Sequence, residues 1–218
     1  MRWQMMFTLL LVGVLSGCAH TENIQVSAIA AGDDSTQYKK FAIVSDKYQA
    51  TNDDLQFAEY ARQVTAVLNQ QGYVQAQNSK DAQILVSLSY RLSAPQTRTD
   101  IVNVPVYPNV GPFYDTRFGH HPYPILGYPV YQPMVYQSII YKKLVRLQAI
   151  DAVVYAKDKT VKPLWDVMII SHNDNDDLRY MFPYMLVAAE PYIGRNSAHS
   201  IEVSVPEKDP AVMQLRGM

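Results

Sequence analysis

Cysteine is almost absent: Cys18 is the only one in 218 residues. No intrachain disulfide can form, so stability has to come from a packed core. Charge is scarce and balanced, with 19 Lys and Arg against 20 Asp and Glu, a formal charge of −1 at pH 7. No basic excess exists to neutralise phosphates, which removes the electrostatic support that nucleic-acid binding needs. There is no Gly-x-Ser-x-Gly elbow of the hydrolase type. No apolar run reaches the roughly 20 residues that a membrane-spanning helix requires. A hydrophobic fraction of 48% still supplies a core and excludes wholesale disorder.

What the chain does have begins at its first residue. Arg2 is followed by an apolar run from Trp3 to Leu15, broken only by Gln4, Thr8 and Gly13, and then by Ser16-Gly17-Cys18. A basic start, a short apolar stretch and a small-residue exit describe a secretory signal that is removed. The segment resembles the signal peptide and lipobox of a bacterial lipoprotein. That resemblance implies a signal peptide over 1–17 and a Cys18 that carries diacylglycerol on its sulfur and an acyl chain on its new amino terminus. Several chains are needed, because each buried methylene contributes only about 0.8 kcal/mol. Ala19, in place of the Asp that marks inner-membrane retention in such proteins, implies the periplasmic face of the outer membrane. The spacer over 18–23 is short: Ala19 to Asn23 reach at most about 3.6 Å each, which keeps the folded domain close to the membrane. No cofactor is expected beyond these lipid chains, and Cys18 is then unavailable as a nucleophile.

The pattern from residue 24 onward predicts a single α/β domain over 24–205. Ile24, Val26 and Ala28 alternate as in a strand, and 41–45 is a short apolar run of strand type. A helix is expected over about 53–71, with Asp53 and Asp54 at its positive end and Phe57, Tyr60, Ala61, Val64, Val67 and Leu68 as its apolar stripe. Gly72 fits the left-handed position that ends it. Ile84, Val86, Leu88 and Tyr90 mark a strand with one buried face, preceded by Asp81 as a turn cap. A hairpin is predicted from 139–155 through a turn at 157–160 to 161–170. A second helix is expected from about Phe182, with Pro183 in its first turn and Gly194 beyond its end. Ile201, Val203 and Val205 read as a last strand, and 206–218 as a polar tail. The fold class is α/β (α+β): a mixed, mainly antiparallel sheet with two helices packed on one face.

Residues 92–137 break this regularity as a Pro/Tyr-rich insertion. Eight of the 13 prolines and six of the 16 tyrosines (Tyr107, Tyr114, Tyr123, Tyr128, Tyr131 and Tyr136) fall between 95 and 137. Proline at this density excludes helix and central strand. A loop this long is either mobile or functional, and tyrosine supplies contact area with a polar tip. These six tyrosines are the candidate contacts to a partner or ligand.

The residues 38–42 (YKKFA), 68–73 (LNQQGY), 81–86 (DAQILV), 147–151 (LQAID) and Leu164-Trp165 resemble a family of bacterial envelope lipoproteins defined by domain of unknown function 4136. The likeness covers about 24–194, interrupted by the insertion. This chain departs from the pattern in the insertion and in Arg146, where a glycine often precedes the hairpin strand. The resemblance implies a compact α/β domain with helices on one face of a mixed sheet and supplies no catalytic residues.

Candidate chemistry is thin. His120 and His121 beside Asp115 lack the i, i+4 spacing that puts two metal ligands on one helix face. Asp174, Asp176 and Asp177 lack the glycine and distal glutamate of a calcium loop. Asp151 and Asp166 can face each other across the hairpin, but a carboxylate pair without a cleft is no acid/base site. The sequence therefore predicts no metal site, no catalytic residue and no enzyme activity. It predicts a non-enzymatic protein held to the membrane by its lipid and binding an envelope partner; the alternative is a periplasmic module that binds a small ligand or glycan through the insertion tyrosines.

Overall fold

Alternating burial along the strands is what organises this chain. The computed structural model describes residues 20–32, 38–45, 55–107 and 129–217. They fall into two units, one comprising the chain up to Ala94 and from Tyr141 onward, the other Pro95–Ile140. Eight strands and four α-helices occur among the described residues. The strands are β1 (Thr21–Ala30), β2 (Lys40–Ser45), β3 (Val74–Gln75), β4 (Ile84–Leu92), β5 (Gln96–Val106), β6 (Val130–Asp151), β7 (Pro163–Asn173) and β8 (Ile201–Pro206). The helices are α1 (Leu55–Gln70), α2 (Ala152–Asp158), α3 (Leu178–Ala189) and α4 (Pro210–Arg216).

In the first unit the strand order is β3-β2-β4-β6-β7-β1-β8. Only the β2–β3 and β2–β4 pairs are parallel; the others are antiparallel. The parallel β2–β4 pair is possible because α1 lies between them in sequence and carries the chain back. Ile24, Val26, Ile84, Val86, Leu88, Val145, Leu147, Ala149, Val167 and Ile169 point to one face, and the buried residues of α1, α3 and α4 join them in one cluster. Tyr60 of α1 stacks on Phe182 of α3, with ring centroids 4.0 Å apart and planes 10° from parallel. Such a pair contributes about 0.5–1.5 kcal/mol beyond the area it buries. On the other face Ala42, Val44, Leu85, Ile150 and Ala152 form a smaller cluster beneath α2.

The ends of the elements follow from local chemistry. Gly72 takes φ +85°; its N–H donates to the Asn69 carbonyl and that of Tyr73 to the Leu68 carbonyl. This is the paired-bond termination that a left-handed residue allows, where the sequence placed it. Gly194, at φ +70°, is held to glycine a second way, since a Cβ there would lie 2.9 Å from the Tyr73 hydroxyl.

Four expectations are corrected. Residues 152–158 are helix, not the end of a strand: the Asp151 carboxylate accepts the N–H groups of Val153 and Val154, and Lys159 at φ 60° ends the turn. The second long helix starts at Leu178, not near Phe182, because Asp177 caps it by accepting the Tyr180 N–H. Pro183 thus sits mid-helix, a cost of about 3 kcal/mol that burial of nine of its 12 residues offsets. Residues 206–218 are more than a polar tail: Asp209 caps α4, whose Val212 and Leu215 are buried. Lastly, both flanks of the 92–137 insertion are strands, as described next. Replacing Leu215 by Ala should lower stability by about 2 kcal/mol in a urea melt; an unchanged midpoint would mean that α4 is not part of the core.

Candidate functional site

The described residues of the second unit form an antiparallel ribbon in which β5 pairs residue by residue with the first half of β6, from Gln96 against Ile140 to Val106 against Val130. A two-stranded ribbon is edge on both sides, so Pro105 and Pro133 are accepted where a central strand would reject them. Its surface carries what the core strands hide. Ile101 is 71% exposed, Val135 66%, Tyr131 65% and Tyr136 63%. No charged residue occurs from Ile101 to Tyr107 or from Val130 to Ile140. The register places Ile101 with Val135 and Pro105 with Tyr131 on one face, and Val102 with Met134 and Asp100 with Tyr136 on the other.

Three of the six candidate tyrosines are therefore located. Tyr131 and Tyr136 stand on opposite faces of the ribbon and do not form one stacking platform, while Tyr107 follows β5 and is exposed. Tyr114, Tyr123 and Tyr128, the His120–His121 pair with Asp115, and Cys18 lie outside the described residues.

Where the chain leaves the first unit for the ribbon is informative. Leu92 pairs with Lys143, Lys143 with Ser171, and Ser171 with Ile24, so these four form one row across the sheet. The exits at Ala94 and Tyr141 and the start of β1 at Thr21 are thus at the same end of the sheet.

That end holds a polar cluster that sequence reading missed. Lys143 is fully buried, continuing the inward alternation of Val145 and Leu147. Its ammonium donates to Asn173 Oδ1 and the Asn175 carbonyl, and Asn173 Nδ2 donates to Glu22 Oε2 at 3.0 Å. Burial pushes the Lys143 pKa down, and the carboxylates of Glu22, Asp176, Asp174 and Asp177 push it back. The acidic loop that lacks the features of a calcium site thus supplies part of the counter-charge to this lysine. The signal available in sequence was a lysine at an inward position of the strand pattern.

The carboxylate pair considered from the sequence does not assemble. Asp151 is buried, caps α2 and accepts the Tyr38 hydroxyl at 3.1 Å. Asp166 lies opposite Gln148 and takes a two-pronged ion pair from Arg146, which accounts for an arginine at that position. Among the described residues no three His, Cys, Asp or Glu side chains are grouped to hold a metal ion. A shallow groove of about 200 Å³ is lined by Tyr38, Lys39, Gly72, Tyr73, Gly194 and Arg195, among others. No helix among the described residues is long and apolar enough to cross a membrane.

A family model described as "Domain of unknown function (DUF4136)" matches residues 26–185, and the chain is a member of that family. No curated protein matches it. Among solved structures it is similar to a PDZ domain protein from Parabacteroides distasonis, at 12% identity and a TM-score of 0.44. The match covers 86% of this chain and 40% of that one, so the chain spans less than half of its length. A likeness this slight carries no further statement about this chain.

The buried lysine makes a pH prediction. Lys143→Met leaves two acceptors without a donor and should cost about 1–2 kcal/mol at pH 7. A lysine whose folded pKa is depressed sheds its proton first in the folded state. Between that value and the ordinary lysine pKa of about 10.4 the unfolded chain binds more protons, so stability rises with pH. Urea melts of both chains should show the wild-type advantage growing as pH rises through this window; an advantage that shrinks contradicts the assignment.

Proposed function

We propose that this protein is a non-enzymatic lipoprotein of the bacterial cell envelope, anchored through Cys18 and binding an envelope protein with its ribbon. The observation that carries the reading is the exposed, uncharged apolar surface on both faces of the ribbon where Ile101–Val106 of β5 pairs with Val130–Val135 of β6. Contiguous exposed apolar surface of this kind marks interaction sites. The first unit is compatible with the anchor as well. β1 begins three residues after Cys18, so a lipid there holds that end of the sheet near the bilayer. The partner is then a protein in or against the same membrane, on the periplasmic side of the outer membrane.

Binding of a glycan on stacked insertion tyrosines is less well supported, because Tyr131 and Tyr136 point to opposite faces.

Two measurements test the proposal. Cys18→Ala should move the protein from the membrane to the soluble fraction and abolish fatty-acid incorporation; retention at the membrane would refute the anchor. Replacing 95–140 by Asn-Gly, which joins strand ends that already pair and suits a two-residue hairpin turn, should keep the melting temperature within about 4 °C. In intact cells the same change should remove the protein's cross-links to its neighbour. An unchanged cross-link pattern would rule out the ribbon as the interface.

A further inference from the structure

Among the described residues β5 is paired on one side only, with β6, and its other edge offers a row of backbone donors and acceptors. Natural edge strands are guarded by charges, bulges or prolines that discourage pairing. Here the guard is partial. Pro105 lies near one end, and the only charges in the strand are Arg98 and Asp100, two residues apart on one face, with Arg98 Nε 3.0 Å from Asp100 Oδ2. Both remain open to solvent, at 62% and 40% side-chain exposure. A two-stranded ribbon is at best marginally stable in water, so the edge gains from further strands.

We infer that β5 pairs antiparallel with β5 of a second copy of this chain, the two-fold axis passing through Thr99. The sequence of the edge is complementary to itself in that register. Arg98 of each copy lies opposite Asp100 of the other, so the two acid–base pairs close into a cluster of four alternating charges. Thr99 lies opposite Thr99, and Thr97 opposite Ile101, which are β-branched pairs of the kind that stabilise sheets. Gln96 lies opposite Val102. The pairing uses residues 96–102 and leaves Pro105 outside it. Neighbouring centres are rejected by charge: a two-fold through residue 98 sets arginine against arginine, and one through residue 100 sets aspartate against aspartate. The free edge of β6 has no such device, because it carries no charge from Val130 to Ile140 and is interrupted by Pro133. The union makes a four-stranded sheet from two ribbons.

This inference rests on the reading of the ribbon as an interaction element, though not on the lipid anchor or on any other partner. Its test uses the full-length chain in its own membrane. A disulfide between directly opposed strand residues is geometrically allowed, since their Cα atoms lie about 4.5–5.5 Å apart. Thr99→Cys should therefore cross-link to a dimer under mild oxidation, well above the unsubstituted chain and Val104→Cys, whose register partner is residue 94. Adding Asp100→Arg, which brings four arginines together, should cut the Thr99→Cys dimer about tenfold. Adding Arg98→Asp as well should restore it, because the reversed pairs are again complementary. Circular dichroism of each variant confirms that the fold is retained. A Thr99→Cys chain that cross-links no better than Val104→Cys overturns the inference, as does a dimer indifferent to Asp100→Arg. If the dimer fails while removal of 95–140 still abolishes a cross-link to another protein, the proposed function stands and only the self-pairing falls.

Discussion

The backbone ladder of β6 is the constraint on which the rest of this structure depends. Over its last ten or so residues the strand is bonded on both sides, to β4 and to β7; over its first eleven its one partner among the described residues is β5. Its side chains change regime at the same place. From Lys143 onward every second residue is buried, whereas from Val130 to Gln137 none is. In the buried half a slip of one residue would turn Val145, Leu147 and Ala149 out to water, so the hydrophobic effect sets the register. In the ribbon no such penalty exists on either face, and its stability and register are open to adjustment by whatever pairs or docks there.

This division explains what was legible in the sequence. The inward alternation was legible: Ile24-Val26-Ala28, Ile84-Val86-Leu88 and Leu147-Ala149 all lie inward as expected, although β4 is not one-sided, since Leu85 and Ser87 on its other face are buried too. The stripe of α1 and the glycine that ends it were equally plain, since both depend on local chemistry. The failures share a cause, which is that tertiary contact overrode a local signal. Residues 152–158 carry β-branched Val153 and Val154, yet the cap from Asp151 and the burial of Ala152 beneath the sheet turn them into helix. Pro183 looks like a helix start, but the packed surroundings of α3 tolerate it in the middle. Of the few apolar residues in 206–218 only Val212 and Leu215 are buried, too short a stripe to announce a helix.

The insertion was misread in a different way. Proline density suggested irregular chain, and the rule behind that expectation applies to central strands. The described flanks satisfy the same rule as strand, because a two-stranded ribbon can carry Pro105 and Pro133 on its open sides. The tyrosines were legible as a cluster, but their arrangement was not: Tyr131 and Tyr136 are five apart, and an odd spacing in a strand puts side chains on opposite faces. Lys143 was invisible for a related reason, since a lysine in a strand reads as an outward residue until the pattern of its neighbours shows that it points in. Its partners, Asn173 and the Asn175 carbonyl, lie in the loop that leads to α3, and the ammonium ties that loop to the sheet end from which the ribbon chain departs.

A ribbon that serves as the interface proposed above has its backbone amides covered where it is engaged; a passive insertion does not. Hydrogen exchange on the full-length protein tests this most directly, by comparing the chain at its native membrane with the same chain purified and diluted. The account predicts slowed exchange for amides within 96–106 at the membrane and its loss on dilution, while β4, β7 and residues 143–151 of β6 stay equally protected in both. Equal exchange of the 96–106 amides in the two samples would contradict it.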